Sequence, residues 1–175
     1  MAANWMRRIA LALFAGATAM VLAACGSSSV ASALTPSRFI VFGDALSDIG
    51  QNGGKRYTVN DGSVNNWTLQ LASHYGKTIA PSSAGGLSYA TGNARVLATP
   101  DAAGGSAPPL SAQIDSFLAA NQFSSSDLVV IDGGISDLIV NMQAVLAGSM
   151  TPDAMVAAAT QTGADLGAQV RRGEQ

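Results

Sequence analysis

Two short segments of the sequence combine glycines, aspartates and hydroxyl groups directly after apolar runs. The first is GDALSDIG, residues 43–50, which follows RFIVF, and the second is GGISD, residues 133–137, which follows DLVVID. Polar side chains that follow parallel strands meet at one edge of the sheet, where α/β proteins bind their ligands. Taken singly, a glycine after a strand is a turn residue and an aspartate there is a helix cap. Their occurrence after two strands predicts a polar site.

The elements that would position these segments alternate between strands and helices. Short runs of β-branched and aromatic residues predict strands at 38–43 and 127–132, and a shorter one at 77–80. A long loop rich in glycine, serine and proline covers 81–109. Apolar residues at helical spacing and capping residues predict four helices: 66–76, 110–121, 137–148 and a last one that Thr151 and Pro152 open. This order predicts an α/β fold with a parallel sheet.

The N-terminal residues have the pattern of an export signal. Two arginines precede an uncharged apolar run over 9–24, which is short for a permanent membrane span of about 20 residues. The run ends in LAAC, residues 22–25, which resembles the lipobox of bacterial lipoproteins. The resemblance implies removal of residues 1–24 as a lipoprotein signal peptide, acylation of Cys25, and an anchor and flexible linker over 25–37. A plain signal peptide followed by a chance cysteine is the alternative.

The charge and the cysteine content of the chain indicate which binding partners and cross-links to expect. The leader contains two of the nine basic residues and none of the eleven acidic ones, so the rest of the chain carries a formal net charge of −4. Without a basic cluster, nucleic-acid binding is not expected. Cys25 is the only cysteine, so no intramolecular disulfide can form. The expected partner is the membrane, reached through the N-terminal lipid, and the expected location is the bacterial cell envelope, at the outer membrane or the periplasmic face.

Taken together, the glycine-rich segments resemble the GDSL, or SGNH, family of lipases and esterases. The family's first block, Gly-Asp-Ser-Leu-Ser-Asp-x-Gly after a strand, matches residues 43–50. Its second block contributes an oxyanion-hole glycine, which SYATGNARV supplies as Gly92. Its third block, Gly-x-Asn-Asp, matches GISD at 134–137. The resemblance covers residues 38–148 and implies a three-layer, flavodoxin-like sandwich with a parallel sheet that hydrolyses ester bonds.

The residue that would carry the family's chemistry is replaced in this sequence. The position of the serine nucleophile, next to Asp44, is occupied by Ala45, and a methyl group cannot attack an ester carbonyl. Loss of a triad nucleophile costs about a million-fold in rate. Ser47 lies two residues further, at the start of an expected helix and about 200° around its axis. We therefore expect Ser47 to cap that helix and not to replace the nucleophile.

The oxyanion donor and the general base also depart from the family pattern. Ser136 stands where the family has asparagine, and loss of one oxyanion donor costs on the order of a hundred- to a thousand-fold. Gly92, Ser136 and the backbone N–H of Ala45 are the expected oxyanion-hole-like groups. The family's Asp-x-x-His block is absent, and the one histidine, His74, is expected on an exposed helix surface. Residues 38–175 are thus expected to form the N-terminal part of an SGNH/GDSL-type domain, incomplete at its C-terminus.

Three functions are compatible with these features. The first is a lipid-anchored ester hydrolase of the GDSL type whose activity is weak or absent. The second is a non-catalytic envelope lipoprotein that binds an acyl or glycan ligand, and the third is a non-functional fragment. A natural pseudoenzyme, a frameshift product or a deliberate change of serine to alanine would each explain the departures.

No cofactor is implied by these residues. One histidine and one acylated cysteine cannot form a zinc set, and Asp44 and Asp48 are expected in capping roles.

Overall fold

The computed structural model describes residues 34–57 and 60–173. The predicted signal peptide and Cys25 lie outside the described residues. The described part of the chain forms four α-helices and a parallel pair of strands in this order: β1 (Arg38–Phe42), α1 (Trp67–His74), α2 (Leu110–Leu118), β2 (Asp127–Ile131), α3 (Ile135–Leu146) and α4 (Pro152–Arg172). This confirms the expected mixed α/β fold with a parallel sheet. None of these helices is both long enough and apolar enough to cross a bilayer.

The two strands pair in register along their whole length. Arg38 lies opposite Asp127 at one end, and Phe42 lies opposite Ile131 at the other. The Arg38 guanidinium holds both carboxylate oxygens of Asp127, at 2.8 and 2.6 Å, and this hydrogen-bonded ion pair lowers the pKa of Asp127. A bidentate pair has a defined geometry, so it helps to set the register at the start of the sheet.

Side chains of β1 alternate between two apolar clusters, as the two-residue period of a strand requires. Ile40 and Phe42 pack with buried residues of α2, and Phe39 and Val41 pack with residues of and around α1. The α2 contribution consists of Leu110, Ile114 and Phe117. The apolar residues at helical spacing that predicted this helix are buried at these three positions, whereas Leu118 is 39% exposed. Helices therefore cover both faces of β1.

The helix signals in the sequence are confirmed at the caps. The Asn66 side chain accepts the N–H of Thr68 at 2.8 Å, and Thr151 accepts the N–H of Ala154 at 3.2 Å. Helix α3 begins at Ile135, two residues before the predicted start. The reason is that Gly134 adopts a positive φ of 99°, a conformation that a glycine adopts readily, and thereby turns the chain from the end of β2 directly into the helix.

Two of the predicted elements are wrong. Residues 77–80 form no strand, although the adjoining Pro81 makes an isolated parallel bridge with Ser88. No helix follows the first glycine-rich segment, since residues 44–54 form a series of turns. In the 44–54 region the side chains of Asp44 and Asp48 accept backbone N–H groups, a competition with helix formation that is typical of Asp. At 77–80 the N–H of Lys77 donates to Ala72, and the carbonyl of Ala80 accepts from Ser88.

The loop over 81–109 contains one short 3₁₀ turn and is ordered by its own polar contacts. The Asp101 carboxylate accepts the N–H groups of Ala103, Gly105 and Ala107 at 2.8, 2.8 and 2.9 Å. These three bonds lower the pKa of Asp101. A charged acceptor with several backbone donors closes a loop without any regular secondary structure.

Replacing Asp101 by alanine tests this closure. We expect Asp101→Ala to lower the free energy of unfolding by about 2 kcal/mol, because it leaves three backbone donors without their acceptor. Urea unfolding at pH 7 measures the change. Asp153→Ala, at an exposed position in the first turn of α4, is the matched control and should cost less than about 1 kcal/mol. Equal losses in the two variants would contradict the assigned role of Asp101.

Candidate functional site

The two glycine-rich segments lie side by side because the strands that they follow are parallel and in register. The N–H of Asp132 continues the ladder and donates to the carbonyl of Phe42 at 3.2 Å. The Asp132 side chain lies directly over Gly43, where an added Cβ would be 2.0 Å from Oδ1 of Asp132. Only a residue without a side chain fits beneath this carboxyl, and this explains the glycine at the end of the first strand.

A buried glutamine clamps the same point from α2. Nε2 of Gln113 donates to the carbonyl of Gly43, and its Oε1 accepts the N–H of Gly43, both at 2.9 Å. The carbonyl of Gly43 also accepts the N–H of Thr91 at 3.0 Å. Gln113 thus satisfies backbone groups that leave the strand ladder, as buried polar groups require. Its place on the apolar side of an amphipathic helix is the one signal of this role in the sequence.

The turn after Gly43 presents Ala45 at a half-buried position. The carbonyl of Asp44 accepts the N–H groups of Ser47 and Asp48, at 3.2 and 3.0 Å, and closes the turn. Leu46 projects outward with 58% of its surface exposed. No hydrogen bond between described residues uses the N–H of Ala45 as its donor. The focus of the turn therefore offers a methyl group and one backbone donor.

The expected role of Ser47 is wrong, because no helix forms for it to cap. Ser47 has no exposed surface, and its Oγ donates to Oδ1 of Asp132 at 2.5 Å. The hydroxyl is thus turned inward, toward the end of β2. It joins the first glycine-rich segment to the second, and in this position it cannot reach a ligand from solvent.

Asp48 accepts the backbone N–H of Gly92 in the second block, so this donor is not available to a ligand. Oδ1 of Asp48 accepts the N–H groups of Gly50 and Gln51, and its Oδ2 accepts the N–H of Gly92, all at 2.8 Å. The Tyr57 ring covers Gly92, where an added Cβ would be 1.7 Å from the ring. The donor that the family resemblance assigns to an oxyanion hole is therefore engaged within the protein.

The third block is joined to the second through Asp137. Its Oδ1 accepts from Nε of Arg95 and its Oδ2 accepts the N–H of Val96, both at 2.8 Å. Ser136 lies next to it in the first turn of α3 and is buried. Hydrogen bonds from Thr91, Gly92 and Val96 thus connect all three segments at the carboxyl end of the sheet.

Burial of two neighbouring carboxyls gives this end of the sheet its unusual electrostatics. Burial raises the pKa of Asp132 to about 7, an effect that the Ser47 hydrogen bond opposes and the charge of Asp44 reinforces. Burial also raises the pKa of Asp44, against the hydrogen bond from Leu46. Asp132 was not singled out by the sequence analysis. Its signal there is its position, since it follows the second apolar run as Asp44 follows the first.

The remaining predicted residues lie away from this cluster or outside the described residues. His74 is exposed at the end of α1, as expected, with its ring edge-on to Tyr75 at 5.2 Å between centroids. Residues 34–57 and 60–173 contain no group of three His, Cys, Asp or Glu side chains placed to hold a metal ion. Arg95, which was not predicted to be a site residue, belongs to the site because its guanidinium pairs with the Asp137 carboxylate.

Fold and site together define a mixed α/β domain with a polar cluster at the carboxyl end of a parallel sheet, beside a turn that presents an alanine. No protein-family model, no curated protein and no solved structure matches this chain. The family interpretation therefore depends on the residues of the three glycine-rich segments themselves.

A double-mutant cycle tests the packing of Asp132 on Gly43. We expect Gly43→Ala to lower the free energy of unfolding by about 3 kcal/mol, because the new methyl group forces the Asp132 carboxyl aside. In an Asp132→Ala background the same change should cost only about 1 kcal/mol. The obstructing carboxyl is then gone, and only the backbone oxygen of residue 132, at 3.2 Å, remains close. Urea unfolding of the four proteins gives the interaction energy. If Gly43→Ala costs the same free energy of unfolding in both backgrounds, Asp132 is not the reason that position 43 requires a glycine.

Proposed function

We propose that this chain is a lipid-anchored member of the GDSL, or SGNH, family of ester hydrolases in which Ala45 occupies the nucleophile's position, so that ester hydrolysis is weak or absent. The observation that carries the proposal is the convergence of three segments, 43–50, 89–96 and 132–137, at one end of the sheet. Their order along the chain is that of the family's blocks, and the first and third segments match those blocks except at Ala45 and Ser136. The presence of helices on both faces of β1 supports a three-layer, flavodoxin-like sandwich as part of this proposal.

The geometry around Ala45 explains why chemistry would be impaired. Acyl transfer needs a nucleophile with a base within hydrogen-bonding reach. Ala45 has no such atom, and Ser47 is buried and bonded to Asp132. His74 lies exposed on α1 with its ring against Tyr75, and within the described residues it forms none of the hydrogen bonds that join the three segments. The turn thus retains the place of a nucleophile without the nucleophile or its base.

Binding without catalysis is the second candidate function. The N–H of Ala45 is half-buried and takes no part in the hydrogen bonds of the described residues. A single oriented donor of this kind can donate a hydrogen bond to a carbonyl or carboxylate oxygen of an acyl or glycan ligand. Anchoring through an acylated Cys25 would place that ligand in the cell envelope.

Restoring the hydroxyl at position 45 tests the proposal directly. Full-length wild type, Ala45→Ser and the matched control Leu46→Ser are incubated with p-nitrophenyl butyrate and imidazole as an external base. We expect Ala45→Ser to acquire an acyl group at position 45 about a hundredfold faster than Leu46→Ser acquires one at position 46, the effect of one oxyanion donor. Intact-mass and peptide-mass spectrometry measure both adducts.

Wild type supplies the second arm of this experiment. It should release p-nitrophenolate no faster than imidazole alone and should carry no acyl adduct. Equal acylation of the two serine variants would contradict the assignment of position 45. Wild-type turnover that traces to an acyl adduct on another residue would overturn the view that this chain lacks a nucleophile.

A further inference from the structure

Asp44 and Asp132 form a pair of carboxyl groups whose hydrogen bonding is incomplete. Asp44 is 1% exposed, and its Oδ1 accepts the N–H of Leu46 at 3.1 Å. Oδ1 of Asp132 accepts the hydroxyl of Ser47 at 2.5 Å. Oδ2 of each residue is buried and receives no N–H or O–H from a described neighbour. Each carboxyl influences the pKa of the other, and a proton held between the two Oδ2 atoms would satisfy both.

The groups around the pair do not neutralise two negative charges. Gln113 of α2 is neutral and engaged with Gly43. Asp137 of α3 adds a further negative charge near Asp44, and Arg95 is already paired with Asp137. Both carboxylate oxygens of Asp48 already accept backbone N–H groups. The other two ion pairs of the described chain are formed elsewhere, by Arg38 with Asp127 and by Arg172 with Asp115.

We propose that Asp44 and Asp132 share a single proton that holds the 44–47 turn closed, and that loss of this proton opens the turn that carries Ala45. Two neighbouring carboxylates whose oxygens are shielded from water repel each other strongly when both are ionised. With the proton present, Asp132 accepts from Ser47 and shares a hydrogen bond with Asp44. Without it, the two negative charges repel each other at the ends of β1 and β2. The proton is thus a structural component of the turn.

The pKa of Asp132, raised to about 7 from an ordinary value of about 3.9, gives the pH range. Between these values the folded chain holds a proton that the unfolded chain has released. The stabilisation is therefore complete below about pH 4 and is lost as the pH rises toward about 7. Within that window this pair alone lowers the folding equilibrium constant by up to about tenfold per pH unit.

Carboxyl ¹³C NMR of the full-length chain tests the shared proton. We expect one carboxyl of the pair to titrate near pH 7 in wild type and in the control Asp115→Asn, whose exposed carboxylate is paired with Arg172. Asp44→Asn should lower the pKa of Asp132, because the amide removes the negative charge of Asp44 and donates a hydrogen bond to the ionised Asp132 carboxylate. If both carboxyls titrate below pH 5 in wild type, or if the pKa of Asp132 is the same in wild type and in Asp44→Asn, no proton is shared.

Hydrogen exchange tests the mechanical part of the proposal. The N–H groups of Ser47 and Asp48 close the turn by donating to Asp44. After correction for the intrinsic dependence on pH, their exchange in wild type should accelerate at least about tenfold between pH 6 and 8, whereas amides of α4 should not change. Asp132→Asn should show no such acceleration. Equal profiles in wild type and Asp132→Asn would overturn the link between the proton and the turn.

Discussion

The parallel pairing of β1 and β2 is the constraint on which the rest of the site depends. Because the strands run in one direction and in register, the residues that follow them emerge together, and Gly43 comes to lie beneath Asp132. Parallel strands bring their carboxyl ends to one edge of the sheet. Asp44 and Asp132, which are 88 residues apart in the chain, therefore become neighbours. The turn with Ala45, the inward hydroxyl of Ser47 and the buried carboxyl pair all follow from this alignment.

Aspartates organise the irregular parts of this protein. Asp48, Asp101 and Asp137 each accept backbone N–H groups and thereby hold segments that form no regular element. In a chain with only 11% charged residues, three buried carboxylates thus have this structural role. A carboxylate with several backbone donors is a strong, charge-assisted acceptor. The loop over 81–109 is ordered for this reason, despite a composition typical of flexible segments.

The shape of the 44–48 turn does not depend on the side chain of Ala45. The interactions that hold the turn come from Asp44, Ser47 and Asp48, and none of them involves the side chain of Ala45. The side chain at position 45 can therefore vary without loss of the turn. The alanine there offers no atom able to attack a carbonyl, and the nearby hydroxyl of Ser47 is bonded to Asp132. Structure and reactivity are separable at this position because different residues supply them.

Local signals in the sequence determined β1 and β2, the caps at Asn66 and Thr151, the buried face of α2 and the parallel α/β order, because each depends on residues near in the chain. The glycine-rich segments and the alanine at position 45 are also visible there. Tertiary structure alone decided that Ser47 bonds to Asp132 and caps no helix, that Asp48 takes the N–H of Gly92, and that Gln113 clamps Gly43. These outcomes depend on competition among hydrogen-bond partners that meet only when two distant strands lie side by side, and no local periodicity records such a competition.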